Sequence, residues 1–388
     1  MVYLLLCVLA WTASQEDSAA GDRARAPGQS ANMVRAVITA RAGSEETMPK
    51  VSVVIPSYNH ARFLRQRIES VLVQTYQDFE VILLDDCSTD ESQSILREYA
   101  SDPRVKIVLN DKNSGSTFKQ WNKGVRLARG KYVWIAESDD YADPHLLEKL
   151  VSRLDAEPSA VLCNCRSWRI SSDGEIIGFM DSNVTHPDTH RWTADFWADG
   201  REECRKYLVR GNTVLNASSV LFRKEVYERV GGADESLVLC GDWKLWASMA
   251  LTGGGIAYVG QPLNYYRLHE MTVTAKSQRI GIDAAEYLQV IRWILQRVTP
   301  TEATRKKLCD ELFHLWYPTV LTNRIPFSRR WAILRDAKAI DRHALRKLVR
   351  PALVALRMTL SRRYHSLRVR SSKSSAEEMH SQEKSKSL

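Results

Sequence analysis

The chain has no long hydrophobic run. Its apolar stretches, including the one within the first eleven residues, fall short of the ~18 residues that a membrane-spanning helix needs, so we predict that no segment crosses a bilayer. A secretory signal would carry Lys or Arg before its apolar run, yet the first basic residue is Arg23. Met48 leads directly into the first predicted strand. We therefore interpret residues 1–47 as an unstructured extension, or as sequence upstream of the true start, with a weak signal segment as the alternative.

Cysteine has no pattern in this chain. The seven cysteines are odd in number and scattered, and no C-x-x-C pair has the spacing of a zinc site. The pattern therefore excludes a disulfide framework and a structural zinc centre. A reduced, cytoplasmic compartment is expected.

Basic charge is scarce outside one C-terminal segment. The net charge is +9, and residues 329–370 hold 13 Lys and Arg against 2 Asp and Glu, which leaves the rest near neutrality. A nucleic-acid partner is not expected, because phosphate binding needs basic residues on the folded face itself. The segment carries apolar residues at near-helical spacing: Leu345, Leu348, Val349, Leu353, Leu356 and Leu360. It is interpreted either as a peripheral contact with the inner face of the membrane or as helices packed on the domain with a solvated basic face.

From position 51 onward, strand and helix patterns alternate, which predicts a doubly wound α/β fold. The domain prediction is one α/β domain at 48–280, in two halves at 48–145 and 146–280. A helical basic region follows at 281–370 and a disordered tail at 371–388. The predicted strands are 51–55, 80–84, 105–109, 131–136, 160–163, 218–222 and 256–259, and the predicted helices are 61–74, 91–100, 119–128, one opening at Asp143-Pro144, 224–230 and 242–250.

Two pairs of adjacent carboxylates each follow a predicted strand. Asp85-Asp86 ends the second strand, and Glu137-Ser-Asp139-Asp140 ends the fourth. The carboxyl ends of parallel strands meet at one edge of an α/β sheet, where such folds bind ligands. Magnesium or manganese needs few carboxylates there, because substrate phosphates complete the coordination. The alternative for the second pair is simple solvation at the surface.

Tyr58 follows the first strand in Ile55-Pro-Ser-Tyr-Asn59. Its ring is placed to stack on a nucleotide base, or it is a turn tyrosine packed on the next helix. No G-x-G-x-x-G follows this strand, which disfavours a dinucleotide oxidoreductase. The Gly-rich basic loop typical of nucleotidyltransferases is missing at the same place.

Three segments together resemble the successive signatures of family 2 glycosyltransferases: residues 49–59 (PKVSVVIPSYN), 84–90 (LDDCSTD) and 137–140 (ESDD). The resemblance covers about residues 49–270. It implies a GT-A Rossmann-like nucleotide-diphospho-sugar transferase fold. In this fold the domain at 48–280 would be catalytic, with a nucleotide-binding half at 48–145 and an acceptor half at 146–280. The resemblance also implies inverting transfer of a sugar from a nucleotide-sugar donor, expected to be UDP-linked, to a hydroxyl. The implied acceptor is a glycan or lipid-linked molecule, in cell-surface polysaccharide or lipid-linked glycan synthesis.

The resemblance implies a nucleotide-sugar site made by the first two motifs. Tyr58 resembles the residue that stacks on the base, and Pro56 belongs to the same binding segment. Asp86 resembles the residue that reads the uracil edge, and Asp85 supports the same pocket. Asp139 resembles a ribose or sugar contact.

The resemblance also implies the reacting groups. Asp140 resembles the ligand of Mn²⁺ or Mg²⁺. Tyr266-Arg267-Leu-His269 resembles the closing segment of the family, in which Arg267 pairs with phosphate oxygens and His269 approaches the metal, although a lone histidine is equally often structural. Asp242, in Gly241-Asp242-Trp243, matches the acidic motif that supplies the general base, and a helix cap is its alternative role.

Several features depart from the family or stay open. Glu137-Ser138 stands where an Asp is frequent, and Cys87 replaces a common Gly. Gln289-x-x-Arg-Trp293 matches a motif of membrane-bound synthases but is interpreted as a coincidence within an amphipathic helix. The tryptophans Trp192, Trp197, Trp243 and Trp246 either stack on sugars or fill the core, with core preferred for Trp246. The alternative functions are a nucleotidyltransferase and a noncatalytic sugar-nucleotide-binding protein.

Overall fold

The computed structural model describes residues 48–180, 190–269, 281–321 and 325–347. The interpretations of 1–47, of 371–388 and of most of the basic segment concern residues outside these ranges. The strands are β1 (Val51–Ser57), β2 (Phe79–Asp85), β3 (Val105–Leu109), β4 (Tyr132–Ile135), β5 (Tyr141–Ala142), β6 (Ala160–Ile170), β7 (Ile176–Phe179), β8 (Phe196–Asp199), β9 (Val220–Arg223) and β10 (Gly255–Arg267).

The helices, in chain order, are α1 (Ala61–Leu72), α2 (Ser92–Glu98), α3 (Thr117–Leu127), α4 (Leu146–Ala156), α5 (Gly200–Glu203), α6 (Lys224–Arg229), α7 (Gly241–Ala250), α8 (Ile282–Leu295), α9 (Glu302–Leu321) and α10 (Phe327–Ile340). A π-helical turn at Cys204–Leu208 extends α5, and single 3₁₀ turns lie at Arg191–Thr193 and Ala217–Ser219.

One mixed sheet organises the molecule. Its order is β3-β2-β1-β4-β9-β6-β10-β5, with β7 added to β6 and β8 to β10. Strands β1 to β4 are mutually parallel neighbours, β9 runs antiparallel to β4 and β6, and β10 is parallel to β6. The predicted α/β fold is confirmed. The parallel strands therefore deliver their carboxyl ends to a single edge of the sheet.

The sheet is covered on both faces. Strands β1, β2 and β4 are buried at every residue, as expected for central parallel strands between two helical layers. One hydrophobic cluster joins the sheet to α1, α2 and α4, and the other joins it to α3, α7, α8, α9 and α10. The C-terminal helices thus share a core with the sheet.

Helix α3 lies close to β1 because Gly124 has no side chain. A Cβ at this position would clash with Val54 Cγ1 and would lie 3.1 Å from Leu84 Cδ1. Gly124→Ala should therefore lower the free energy of unfolding by about 1–3 kcal/mol through overpacking. Arg126→Ala, at an exposed position of the same helix, is the control and should change it by less than about 0.5 kcal/mol. Urea unfolding measures the free energy of unfolding of both variants. A Gly124→Ala variant as stable as the wild type would contradict this packing.

The C-terminal helices pack by their apolar faces. Ile291 of α8, Trp316 of α9 and Ile333 of α10 are buried in the shared core, and Arg292 Nη1 donates to Asp336 Oδ1 of α10 at 2.9 Å. For α10 the structure agrees with helices packed on the domain. Leu348 and the later apolar positions lie outside the described residues. Within the described ranges, no helix is both long and apolar enough to cross a membrane.

Three predicted boundaries were wrong. The helix expected to open at Asp143-Pro144 begins at Leu146, because the Asp143 carboxylate instead accepts from the His145 amide in a preceding turn. The strand predicted at 160–163 continues to Ile170. The strand predicted at 256–259 continues to Arg267 across an irregularity in register between Val259 and Pro262.

Candidate functional site

The second strand ends in two carboxylates with different surroundings. Asp85 Oδ2 accepts from the Ser88 amide and from Gln93 Nε2, and Asp85 is fully buried. Asp86 accepts four hydrogen bonds, from Asn110 Nδ2, the Ser114 amide, the Ser114 hydroxyl and Gln120 Nε2. The Asp86 carboxylate therefore fixes the loop that joins β3 to α3.

Tyr58 lies at the end of β1 with 46% of its surface exposed. Pro56 is buried in β1, opposite Leu84 of β2. The turn after Tyr58 is held to the second-strand motif, because Asn59 Oδ1 accepts from the Thr89 amide at 2.8 Å. Cys87, in the same motif, has a φ of +63°, a conformation that favours glycine and explains why glycine is common here. The Tyr58 side chain is thus about half exposed at the sheet edge, and the next residue is bonded to the second-strand motif.

The acidic segment after β4 meets the end of β10. Asp139 Oδ2 lies 3.0 Å from His269 Nε2, and potential ligand atoms of His60, Asp139 and His269 all lie within 4.8 Å of one another. His60 follows β1, and its Nδ1 lies 2.7 Å from the Ser138 hydroxyl. The Asp139 side chain keeps 19% exposure. The neighbouring histidines favour its ionised form, so its pKa is lowered although burial opposes this. Three strand ends thus bring two imidazoles and one carboxylate together.

Asp140 is more deeply buried and is held by the protein. Its Oδ1 accepts from the Arg267 amide at 2.9 Å, and its Oδ2 accepts from Asn216 Nδ2 at 3.0 Å. Burial, followed by repulsion from Asp139, raises the pKa of Asp140 to about 6. Arg67, fully buried on α1, places Nη2 4.0 Å from Asp140 Oδ2. The Asp140 carboxylate is therefore a buried anchor between α1, β10 and the segment before β9.

Two arginines supply positive charge beneath the acids. Arg267 donates from its guanidinium to the Asp139 carbonyl, to the Ser172 carbonyl and to Gln66 Oε1, at 2.9, 3.0 and 2.6 Å. Arg67 Nε donates to the Glu137 carbonyl at 2.8 Å. Burial raises the pKa of Glu137 to about 8, and its Oε1 accepts from Trp121 Nε1 at 2.6 Å. The repulsion expected between adjacent acids is thus relieved partly by protein cations.

Asp242 lies in the first turn of α7. The helix begins at Gly241 and Cys240 occupies the cap position, so Asp242 is not the cap residue. Its Oδ2 accepts from Asn212 Nδ2 at 3.0 Å. Burial raises the pKa of Asp242 to about 7. A carboxyl group with a pKa near the working pH is suited to take a proton from a hydroxyl.

One short segment connects the acids after β4 with Asp242. Asn212 binds Asp242, and four residues later Asn216 binds Asp140. Ser218 continues the link, because its hydroxyl accepts from the Glu137 amide and its carbonyl accepts from Trp134 Nε1 at 2.7 Å. The segment 212–218 therefore fixes Asp140 and Asp242 to the same piece of backbone.

A small cavity borders this segment, with Thr213 and Leu215 of the segment in its lining. Asn164, Trp192, Thr213 and Tyr258 are among the residues that line it. Within the described ranges, Asn164 Oδ1 and Trp192 Nε1 are buried without a hydrogen-bond partner. Among the other tryptophans, Trp243 and Trp246 are buried in the core, as preferred for Trp246, and Trp197 is exposed. The lining of the cavity thus combines aromatic rings with polar side chains.

The site contains residues that the sequence did not single out. Four residues lie beside the predicted acids and come from three parts of the chain: His60 after β1, Arg67 on α1, and Asn212 and Asn216 in segment 212–218. His60 was visible directly after Tyr58-Asn59. The other three carry no local signal, because their partners are distant in sequence.

The sequence is similar to known glycosyltransferases. The profile of glycosyl transferase family 2 matches residues 52–231. The glycosyltransferase GlyG of Streptococcus pneumoniae serotype 4 is 37% identical over 131 residues, which are 34% of this chain and 43% of that protein. An uncharacterised glycosyltransferase of Nostoc sp., alr2836, is 29% identical over 232 residues, which are 57% of this chain and 65% of that protein. The matches thus span less than two thirds of the length of these relatives.

A solved structure shows the same fold. The crystal structure of S. aureus TarS 1-349 in complex with UDP-GlcNAc superimposes with a TM-score of 0.58 at 16% sequence identity, covering 77% of this chain and 88% of that one. Residues 52–231 of this chain thus match glycosyl transferase family 2, and the fold is GT-A.

Proposed function

We propose that the protein is a metal-dependent glycosyltransferase that moves a sugar from a nucleotide diphosphate to a hydroxyl with inversion. The observation that carries this proposal is the arrangement at the sheet edge. His60, Asp139 and His269 form one cluster, and Asp242 is a carboxyl group of raised pKa. Segment 212–218 links the two, because it binds both Asp242 and Asp140, the neighbour of Asp139. An inverting transfer needs one base for the acceptor hydroxyl and one centre that stabilises the leaving diphosphate.

The donor is proposed to be UDP-linked. Tyr58 offers an exposed ring beside the second-strand motif, where a base can stack. Asp86 makes four hydrogen bonds within the protein, so we assign it to the shape of the loop around the base as well as to the uracil edge. TarS, solved in complex with UDP-GlcNAc, supports the same class of donor.

Replacing Tyr58 tests the base-stacking role. Tyr58→Ala should weaken UDP binding about tenfold, because stacking on an aromatic side chain contributes about 1–3 kcal/mol per base. Tyr58→Phe keeps the ring and is the control, expected to bind within about twofold of the wild type. Calorimetric titration with UDP measures both. Unchanged binding by the alanine variant would remove Tyr58 from the nucleotide site.

The residues present fit a divalent cation. His60, Asp139 and His269 would hold it, and a donor set of two imidazoles and one carboxylate suits Mn²⁺ better than Mg²⁺, which prefers oxygen ligands. When bound, the cation supplies positive charge for the leaving diphosphate. Asp140 then acts as a buried support, since both of its oxygens accept protein hydrogen bonds. Arg267 supports the same segment through the Asp139 carbonyl instead of reaching for phosphate.

The acceptor is proposed to enter on the side of segment 212–218, where the cavity with Trp192 and Asn164 lies. A hydroxyl presented from there would meet Asp242, whose ionised form takes its proton. A glycan or a lipid-linked sugar fits this description. We place the reaction in cell-surface polysaccharide or lipid-linked glycan synthesis at the cytoplasmic side of the membrane, with the basic C-terminal region as a candidate peripheral contact.

The test is release of free nucleoside diphosphate from a panel of nucleotide sugars with Mn²⁺ or Mg²⁺. Turnover of one donor that stops on chelation is expected. Release of pyrophosphate would instead indicate a nucleotidyltransferase, and metal-dependent binding without turnover would indicate a binding protein. Absence of both binding and turnover would contradict the proposed site.

A further inference from the structure

We infer that Glu286 of the C-terminal helix α8 is a positioning residue for Asp242, the proposed general base. This inference rests on the proposed function. Glu286 is buried, and its carboxylate accepts hydrogen bonds from three consecutive backbone amides, those of Val238, Leu239 and Cys240, at 2.7, 2.8 and 2.9 Å. These amides form the turn that leads directly into α7, and Asp242 follows two residues later.

No side chain caps α7 from within the turn at 238–240. Cys240 occupies the cap position of α7 and makes no side-chain hydrogen bond to the helix. The Glu286 carboxylate, which lies on α8, holds these backbone amides instead. Charge-assisted hydrogen bonds of this kind are short and strong. The entry of the chain into α7, and with it the direction of the Asp242 side chain, is thereby set by α8.

A second contact joins the same two elements. The ring of Tyr287 packs on Trp243 with 4.7 Å between centroids, and Trp243 Nε1 donates to the Leu208 carbonyl at 3.0 Å. Glu286 and Tyr287 are neighbours on α8, and Asp242 and Trp243 are neighbours on α7. The two pairs therefore hold the start of α7 against α8.

Glu286 also places a negative charge near Asp242. The titratable groups that face this turn are Cys240 on the turn itself and Asp283, Glu286 and Tyr287 on α8. Repulsion from Glu286 adds to burial in raising the pKa of Asp242. The residue thus acts on the base in two separable ways, through backbone geometry and through charge.

Two substitutions separate these effects. Glu286→Gln removes the charge and one accepting oxygen, so kcat should fall by roughly 10²-fold through misplacement of the base, and the acidic limb of kcat/KM should move to lower pH. Glu286→Asp keeps the charge but shortens the side chain, so kcat should fall while the limb stays in place. Glu302→Gln, at an exposed position of α9, is the matched control.

Metal-dependent UDP binding and thermal melting are measured on the same proteins. Binding within about twofold of the wild type is expected for both Glu286 variants, because the nucleotide site lies on other elements. Parallel loss of UDP binding and turnover would show that Glu286 stabilises the whole fold. An unchanged kcat and an unchanged acidic limb in Glu286→Gln would show that Glu286 has no positioning role. Either result overturns the inference. Asp242→Asn in the same assay distinguishes failure of the proposed function, since full turnover by that variant would mean a different base.

Discussion

Asp242→Asn should lower kcat by about 10²–10⁴-fold and leave nucleotide binding intact, because a general base contributes this much and the nucleotide site lies on other elements. In the wild type, kcat/KM should rise with pH through about 7, since Asp242 has a pKa of about 7 and acts only when deprotonated. The variant should lack this limb. Nucleoside diphosphate release across a range of pH measures both effects.

The same substitution should not destabilise the fold. The pKa of Asp242 is raised in the folded state, so the folded protein binds the proton more tightly than the unfolded chain, and stability is lost as the pH rises through about 7. Asparagine does not ionise, so the Asp242→Asn variant avoids this loss of stability. Its melting temperature at pH 8 should equal or exceed that of the wild type. Asp173→Asn, at an exposed position, is the control for a charge change alone. A large drop in melting temperature would assign Asp242 a structural role instead.

Asp139→Asn should abolish tight Mn²⁺ binding, with a loss of more than about 100-fold in affinity and a comparable loss of turnover. The reason is its place in the cluster with His60 and His269. Asp140→Asn should cost about tenfold, because its oxygens already accept from Asn216 and from the Arg267 amide. Electron paramagnetic resonance of Mn²⁺ or calorimetry gives both affinities.

The comparison of the two variants decides which carboxylate is the ligand. The family resemblance implies that Asp140 meets the metal, whereas the geometry places Asp139 with the histidines. A larger loss of affinity in Asp140→Asn than in Asp139→Asn would restore the assignment drawn from the resemblance. His60→Asn provides an independent check, since it should weaken Mn²⁺ binding only if the cluster at Asp139 is the site.

The central part of the fold was predictable because its strands are apolar runs that stop in acids. Strands β1 to β4 and their connecting helices lie within a few residues of the predicted ranges. The extension of β10 was missed because Gln261 and Pro262 break the apolar pattern, and the strand passes them by an irregularity in register. The residue pattern of one strand does not reveal that pairing with neighbouring strands will stabilise an irregularity in register.

The acids of the site were predictable from their motifs, but their partners were not. Asn216 binds Asp140 across 76 positions of sequence, and Glu286 reaches the Cys240 amide across 46. Arg67 occupies a buried position of α1, where the helical pattern alone predicts an apolar residue or a surface arginine. Such pairs are set by tertiary packing, which places each polar group beside an acceptor that its own segment does not contain.

The anomeric configuration of the first sugar released tests the one-base mechanism most directly. The donor identified by diphosphate release is incubated with enzyme and Mn²⁺ without an acceptor, and the freed sugar is followed by proton NMR faster than it equilibrates. With a single base at Asp242, an α-linked donor should give the β anomer first, because water attacks from the side opposite the leaving diphosphate. Release of the α anomer first would contradict the account, since retention requires a second nucleophilic step that Asp242 alone does not provide.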